Sequence, residues 1–358
     1  MQQVPRMILA INPGSTSTKV ALYEGPELVA QESLDHSAGE LAHFHGIADQ
    51  LPMRTQAVLD FLSRHGTSAT GLEAIMARGG LLHPLASGIY AVNDRMLHDC
   101  IGGAVHEHAA NLGAPIAHAL AVGADIPCYI ADPVSVDEFE NIARISGLKE
   151  LPRQSLVHAL NIRRVAYNIA KAHGTTLQEM NMIVAHLGGG ISIAPLRHGR
   201  IVDVNNANEQ GPFSPERTGG LPVSALVRLC FEEGATEAEL VKRLTHTGGL
   251  VSYLDTNDAR EVEARIAAGD QEAATVYEGM AYQIAKEIGA MATVLEGDVD
   301  VIVLTGGLAH SDVIVGWVIA RVGFIAPVEI MPGENELEAL NEAYVRLKQG
   351  LEAEKTYE

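Results

Sequence analysis

The sequence predicts an α/β protein built from two related lobes. Two segments, about half a chain apart, share one order: a short apolar strand, a turn of glycine or hydroxyl residues, a second strand and another turn. A late apolar strand that runs into Gly306-Gly307 and then into a helix completes the pattern. Because a motif repeated at this scale indicates duplicated domains, we expect each lobe to carry its own sheet.

The bulk composition is that of a globular protein with more than one core. The chain has 358 residues, of which 47% are hydrophobic and 20% charged, and no segment is long and apolar enough to cross a bilayer. We expect no secretion signal, and the isolated Cys100, Cys128 and Cys230 predict reduced thiols in a cytoplasmic protein. A net charge of −20 argues against nucleic acid and anionic membranes as partners, so anionic substrates would need locally concentrated arginines.

The first repeat contains the segment AINPGSTSTKVALYE, residues 10–24. Residues 8–11 and 19–23 predict two strands joined by the loop 12–18, and Gly25-Pro26 turns the chain into a third strand near residues 28–29. In a Walker-type phosphate loop the lysine is followed by a helix. Since Lys19 opens a strand here, the loop is predicted to be the tip of a hairpin, and the Walker alternative is rejected.

The second repeat has the same order. Residues 182–186 predict a strand, Leu187 and the three glycines 188–190 turn the chain, and residues 191–194 alternate back. A further turn at 197–199 leads to a predicted strand at 201–204. Each hairpin tip offers backbone N–H groups, which suit phosphate oxygens.

Helices and further strands fill the remaining sequence. Short strands are predicted before Arg78, before Asp132 and at 301–304. The predicted helices cover 56–65, 155–173, the segment after the Thr236 capping box, 272–295, the segment after Ser311, and 334–349.

Nine motifs follow one another in the order typical of the acetate kinase family, which the chain resembles almost from end to end. They are INPGSTSTK, ARGGLLHPLASG, EHAANLGAP, ADPV, VHALN, AHLGGG, SPERTGG, DAREVEARIAAGD and LTGGLAHS. The proline of the first motif, the RGG in place of a longer RVVHGG-like stretch, and the chain length favour the butyrate kinase branch. The resemblance implies two duplicated ribonuclease-H-like domains of the actin-like ATPase type, covering 1–150 with 333–358 and 151–332, with a nucleotide cleft between them.

The same resemblance implies a reaction between ATP and a short-chain fatty acid that gives ADP and an acyl phosphate by direct in-line transfer. A carboxylate is already ionised at neutral pH and needs no general base. The reaction instead needs relief of repulsion between two anions. Arg78 and Arg217 match the family's two active-site arginines, whose guanidinium groups suit carboxylate and phosphoryl oxygens. His158 matches a histidine that faces the transferring phosphoryl, and Asp132 matches an aspartate that orients an arginine or a Mg²⁺-bound water.

Further residues are implied for the nucleotide and the metal. Asn12 and one glutamate of PGENEL are expected to hold Mg²⁺; Glu334 and Glu336 are both candidates, and Glu336 is preferred. The histidine of the HEHAANL motif stays open between His106 and His108. The expected nucleotide- and phosphate-binding residues are Asn12, Gly14, Ser15, Thr16, Ser17, Lys19, His186, Gly188, Gly189, Gly190, Asp258, Arg260, Gly306 and Gly307.

The acyl pocket differs from that of acetate kinases. Where these typically have valine and phenylalanine, this chain has Gly80 and Val157, which predicts room for a longer acyl chain. Two further methylenes contribute about 1.6 kcal/mol, or roughly tenfold in specificity for butyrate over acetate. A branched-chain fatty acid kinase acting on isobutyrate is the alternative enzyme, and an ATP-driven clamp or filament protein is the alternative outside this class. The family also implies a homodimer.

Overall fold

A computed structural model describes residues 7–102 and 108–358. Its strands are β1 Met7–Pro13, β2 Ser17–Glu24, β3 Glu27–Asp35, β4 Leu72–Arg78, β5 Ile89–Ala91, β6 Cys128–Ala131, β7 Asn181–Leu187, β8 Ile191–Arg197, β9 Arg200–Ile201, β10 Val301–Gly306, β11 Val328–Pro332 and β12 Glu354–Lys355. Its α-helices are α1 Ala38–Leu41, α2 Leu51–Arg64, α3 Asp94–Ile101, α4 Gly113–Val122, α5 Ala159–Ala172, α6 Val223–Cys230, α7 Glu237–Thr245, α8 Gly249–Leu254, α9 Ala259–Ala267, α10 Gln271–Val294, α11 Asp312–Val322 and α12 Glu336–Lys348.

The chain forms two compact units. The N-terminal unit comprises Met1–Val136 with the returning Asn335–Glu358, and the second unit comprises Asp137–Glu334. Each unit has its own sheet and its own hydrophobic core. The domain limits at 150 and 332 drawn from the sequence stay a prediction.

The sheet of the N-terminal unit has seven strands in the order β12-β5-β6-β4-β1-β2-β3. β1 and β2 pair antiparallel as a hairpin, while β1, β4 and β6 run parallel. Leu9 and Ile11 of β1 share a buried cluster with Phe61 of α2 and Ile116 of α4. Because side chains alternate along a strand, residues i and i+2 of β1 face the same helices.

The sheet of the second unit has five strands in the order β11-β10-β7-β8-β9. Every residue of β7 and β10 is buried, as is usual for parallel strands covered on both faces. The long helix α10 supplies the centre of the core through Tyr277, Met280 and Ile284. This core holds the strand ends of the second unit at fixed positions.

The two sheets repeat one topology. The order β6-β4-β1-β2-β3 and the order β11-β10-β7-β8-β9 have the same sequence of parallel and antiparallel pairs. Both predicted hairpins are therefore confirmed, including the placement of Lys19 in a strand. Within the described residues, no helix combines the length and the apolar character needed to span a bilayer.

Three predicted elements are wrong in extent. The helix expected over 56–65 begins at Leu51 and ends at Arg64. The helix expected from residue 155 begins at Ala159, and His158 is its N-cap residue. The strand expected over 201–204 is limited to Arg200–Ile201. The chain leaves the sheet there because Asp203 forms an ion pair with Arg153 at 2.8 Å and also accepts a hydrogen bond from the Val204 N–H.

Candidate active site

Three predicted residues lie at one edge of the N-terminal sheet, where parallel strands end. Ile11 of β1 pairs with Ala77 of β4, so Asn12 and Arg78 are the next residues on neighbouring strands. Arg78 pairs with Ala131 of β6, and Asp132 follows directly. Ligands of open α/β sheets bind outside the carboxyl ends of the strands. The register therefore places these three residues at the edge where a ligand is expected.

Glu336, the first residue of α12, joins Asn12 and Arg78. Arg78 Nη1 lies 2.8 Å from Glu336 Oε1 and donates a longer hydrogen bond, at 3.4 Å, to Asn12 Oδ1. Asn12 Nδ2 donates to Glu336 Oε2. The left-handed conformation of Asn335 turns the chain into α12, where a carboxylate in the first turn is favoured by the helix dipole. The group thus combines a fixed cation with amide and carboxylate oxygens.

Asp132 binds the backbone of the loop that follows Arg78. Its Oδ1 accepts a hydrogen bond from the Gly88 N–H at 2.7 Å, and its own N–H donates to the Gly88 carbonyl at 3.0 Å. The residue is buried and has a positive φ of 39°. These contacts fix the far end of the segment 79–88, which begins directly after Arg78.

The loop between β1 and β2 is closed by a turn. The Gly14 N–H donates to the Ser17 carbonyl at 2.7 Å, and Ser15 and Thr16 are exposed at the tip. Lys19 pairs directly with Asn12 across the hairpin, so the two side chains share one face of the sheet. Exposed loop residues, an exposed lysine and Asn12 thus stand together.

Arg54 of α2 supports this loop from within the protein and was not predicted from the sequence. Its side chain is fully buried. Its Nη1 donates to the carbonyls of Gly14 and Ser17 at 2.9 and 3.1 Å, and its Nη2 donates to the Ser15 carbonyl at 3.1 Å. The one signal in the sequence is spacing, because Arg54 lies four residues before the buried Val58 on the apolar face of α2.

The second unit has a matching row of polar residues at its strand ends. His186 of β7 pairs with Thr305 of β10, and both are buried. Asn161 Nδ2 donates to His186 Nδ1 at 2.9 Å and to Thr305 Oγ1 at 3.1 Å. His186 Nδ1 is thus bound to Asn161, and its Nε2 lies 3.5 Å from Glu334 Oε1. Asn161 therefore holds the orientation of the His186 ring.

His158 lies against His186. The two rings are stacked with centroids 4.1 Å apart and an interplanar angle of 12°. His158 Nδ1 is 2.8 Å from the hydroxyl of Ser192, which pairs with His186 across the second hairpin. The structure thus brings the two predicted histidines together.

Arg217 lies on the three-glycine turn. A side chain at Gly190 would overlap the Arg217 guanidinium, and one at Gly188 would approach Glu334 and His186 within 3.2 Å or less. The Ser214 hydroxyl donates to the Gly189 carbonyl at 2.5 Å and accepts from the Arg217 N–H at 3.1 Å. Glycine at these positions lets Arg217 and Glu334 approach the turn closely, and Ser214 ties the turn to the arginine.

The Arg217 guanidinium is a partly buried charge. Burial lowers its pKa, while the neighbouring Glu216 acts in the opposite direction. Within residues 7–102 and 108–358, no hydrogen bond or ion pair holds this guanidinium, and Glu216 instead accepts from Asn257 at 2.6 Å. A half-buried cation beside a glycine turn is suited to an anion.

The remaining predicted nucleotide residues have mainly local contacts. Asp258 caps α9 and forms an ion pair with Arg260 at 2.7 Å, and Arg260 is 91% exposed. Gly306 ends β10 with a φ of +87° and exchanges two backbone hydrogen bonds with Gly333, while Gly307 opens a short helical turn. Gly306 must be glycine because a side chain there would overlap the Leu187 backbone.

Gly80 does not leave the free volume that was predicted for a longer acyl chain. A side chain at this position would overlap the backbone and side chain of Asn111, so Asn111 already occupies the space. Asn111 Oδ1 also accepts from the Leu81 N–H at 2.7 Å. Val157 is buried directly before His158. The predicted pocket therefore has Asn111, rather than free volume, next to Gly80.

The sequence left one site histidine open between His106 and His108, and His108 lies close enough to Arg78 to be affected by its charge. Removal from water and the charge of Arg78 lower the pKa of His108, whose Nδ1 accepts from the Ala110 N–H at 3.1 Å. His106 lies outside the described residues.

The duplicated five-stranded motif, with phosphate-type turns beside strand-end polar residues, defines the actin-like class of ATPases and kinases. The chain belongs to the acetokinase family, whose model matches residues 149–340. It is 51% identical to "Probable butyrate kinase 2" of Caldanaerobacter subterraneus subsp. tengcongensis over 98% of this chain and 99% of the relative. It is 47% identical to "Probable butyrate kinase" of Listeria monocytogenes serotype 4a over the same shares.

A solved structure supports the fold independently. The acetate kinase of Porphyromonas gingivalis superposes with a TM-score of 0.80, covering 96% of this chain and all of that one, at 20% identity. At this identity the similarity establishes the fold, and the duplicated actin-like architecture expected from the sequence is confirmed.

Proposed function

We propose that this protein transfers the γ-phosphoryl group of ATP to the carboxylate of a short-chain fatty acid, with butanoate as the preferred acid. The observation that carries the proposal is the end-to-end similarity to proteins named probable butyrate kinase, at 47–51% identity. The products are butanoyl phosphate and ADP, and the transfer is direct, without a phosphorylated enzyme.

The two arginines reduce the repulsion between the reacting anions. The Arg217 guanidinium beside the glycine turn supports a role in binding phosphoryl oxygens, since both groups donate to anions. Arg78, held by Glu336 at 2.8 Å, presents its remaining N–H groups in a fixed direction. Donors that are already fixed in position need no reorganisation during the transfer. This preorganisation is the main source of electrostatic catalysis. No residue needs to act as a base, because the carboxylate is ionised near pH 7.

The stacked histidines add two hydrogen-bonding side chains to the same reaction. With Nδ1 bound to Asn161, His186 is left to contact a ligand through Nε2. His158 lies parallel to it at 4.1 Å and is bound to Ser192. Two rings held in a fixed orientation can therefore hydrogen-bond phosphoryl oxygens.

Asn12 and Glu336 fit the requirements of a magnesium ion bound together with nucleotide phosphates. Mg²⁺ in kinases is held by one or two protein oxygens, phosphate oxygens and water. The Asn12 amide and the Glu336 carboxylate are in contact, and the described residues contain no cluster of three or more His, Cys, Asp or Glu that would form an all-protein cage. When bound, Mg²⁺ neutralises phosphate charge. Glu334, at 3.5 Å from His186, would instead orient that histidine.

The choice of acid is tested by measuring acyl hydroxamates formed from acetate, propionate, butanoate, isobutyrate and valerate at equal ATP. Butanoate is expected to have the highest kcat/KM, with its unbranched neighbours within about tenfold, because one methylene contributes about 0.8 kcal/mol. A higher kcat/KM for isobutyrate would replace the proposal with a branched-chain fatty acid kinase. Homodimerisation and a cytoplasmic location remain predictions that accompany the proposal.

A further inference from the structure

Arg54 is a buried cation whose partners are all neutral. Its guanidinium makes six hydrogen bonds within the N-terminal unit. The acceptors are the carbonyls of Gly14, Ser15 and Ser17, the hydroxyl of Thr18, and the side-chain oxygen of Gln50, which is bound twice. Among the described residues, no carboxylate is paired with it. Burial lowers its pKa, but a guanidinium remains charged at any physiological pH.

Burying a charge without an oppositely charged partner costs free energy of folding, so it is expected where the charge serves a function. A buried ion is usually paired with an opposite charge, because desolvation is only partly offset by neutral hydrogen bonds. An arginine that served only to hold the loop would be expected to have a carboxylate nearby. The uncompensated charge therefore points to an anion that is supplied from outside the chain.

The loop above Arg54 has its donors directed away from the protein. Three of its carbonyls face Arg54, and the Gly14 N–H closes the turn with Ser17. In the described part of the chain, the backbone N–H groups of Ser15 and Thr16 have no hydrogen-bond acceptor, and both residues are exposed. Successive free N–H groups form an anion-binding concavity, which a positive charge underneath strengthens.

His36 fixes the other side of the loop. Its N–H donates to the Thr16 carbonyl at 2.8 Å, and its ring Nε2 lies 2.9 Å from the Thr18 hydroxyl. Burial and the charge of Arg54 both lower the pKa of His36, while Glu40 and Asp35 act in the opposite direction. His36 and Arg54 thus hold the loop from two sides.

We propose that Arg54 is the positioning residue of the phosphate-binding loop: it directs the N–H groups of Ser15 and Thr16 outward and supplies the charge that favours the phosphate chain of a nucleoside triphosphate. The inference rests on the proposed function, because that function makes ATP the ligand of this loop. Arg54 does not touch the nucleotide and acts through the loop.

The test compares the affinities of ATP and of adenosine for the full chain by isothermal titration calorimetry, in wild type, Arg54→Met and Arg54→Lys. Loss of a charge that favours phosphate should weaken ATP binding about tenfold or more in Arg54→Met, while adenosine binding stays within about twofold. Arg54→Lys keeps the charge but not the three carbonyl contacts, so its loss of ATP affinity should be smaller. In steady state, KM for ATP should rise while KM for butanoate changes little.

The control is Arg346→Met, which removes another buried arginine of the same unit, one that is paired with Glu352 at 3.0 Å. Its ATP affinity should equal that of wild type. If Arg54→Met does not fold, the Arg54→Lys comparison decides alone. Equal losses for ATP and adenosine, or an unchanged ATP affinity, would overturn the role of Arg54. A wild-type protein that binds adenosine as tightly as ATP would instead contradict the proposed function.

Discussion

Alanine substitutions of Arg78 and Arg217 should both reduce activity but should have different effects on stability. The difference follows from their partners. Arg78 is paired with Glu336 at 2.8 Å, and both side chains are largely shielded, at 23% and 21% exposure. Removing Arg78 leaves the partly buried Glu336 carboxylate without its ion pair, and among the described residues it keeps the hydrogen bond from Asn12. Stranding such a charged group costs about 1–3 kcal/mol of the free energy of unfolding.

For Arg217, the expected effect of the substitution on stability is different. Burial lowers its pKa, which means that the folded protein destabilises its charge, and Glu216 keeps its hydrogen bond to Asn257 when the arginine is lost. Arg217→Ala should therefore leave the free energy of unfolding within about 0.5 kcal/mol of wild type, or raise it. An arginine kept despite this cost is best explained by a ligand.

Both Arg78→Ala and Arg217→Ala should lower the rate of acyl phosphate formation. An arginine that stabilises the transferring phosphoryl is typically worth about 10³-fold or more in rate, or about 4 kcal/mol. Hydroxamate formation with butanoate measures kcat/KM, and urea unfolding measures stability. Arg321→Ala is the matched control, because Arg321 pairs with Glu278 away from all proposed site residues. The reasoning is refuted if either variant keeps activity within about tenfold of wild type, or if Arg217→Ala is the less stable of the two.

Three further predictions concern the metal, the acid and pH. Glu336→Gln should raise the Mg²⁺ concentration needed for half-maximal rate by about tenfold or more, whereas Glu334→Gln should leave it unchanged. The reverse result would assign magnesium binding to Glu334. Val157→Phe should lower kcat/KM for butanoate more than for acetate, since the added ring takes volume beside His158; equal effects would remove Val157 from the pocket. The lowered pKa of His36 means that the unfolded chain takes up a proton first. Stability should therefore fall as pH drops below about 6.5. In urea titrations His36→Gln should show a shallower fall, and an equal or steeper slope would contradict this.

Much of the fold could be predicted because its signals are local. Apolar runs flanked by glycine or hydroxyl turns predicted both hairpins, and the predicted strands placed Arg78, Asp132 and His186 at strand ends. Helix limits were less accurate. The residues before Ala159 do not show that the helix begins there, with His158 as its N-cap residue. The His158 ring stacks against His186, and such a distant contact cannot be read from the local sequence.

The supporting residues of the site were harder to predict. Asn161 contacts His186, 25 positions later in the chain, and Arg54 contacts carbonyls, about which side-chain identities give no information. Gly80 shows the same difficulty for an absent side chain. A missing side chain suggests free volume, but Asn111, contributed by a distant segment, fills it. Contacts across the fold decide such positions.

The most direct test of the central claim measures ATP consumption and acyl hydroxamate in one reaction, with and without butanoate. A carboxylate kinase should release one ADP for each hydroxamate formed and should consume almost no ATP when the acid is left out. ATP hydrolysis at the same rate without any carboxylate, and without hydroxamate, would contradict the account and would indicate an ATP-driven clamp instead.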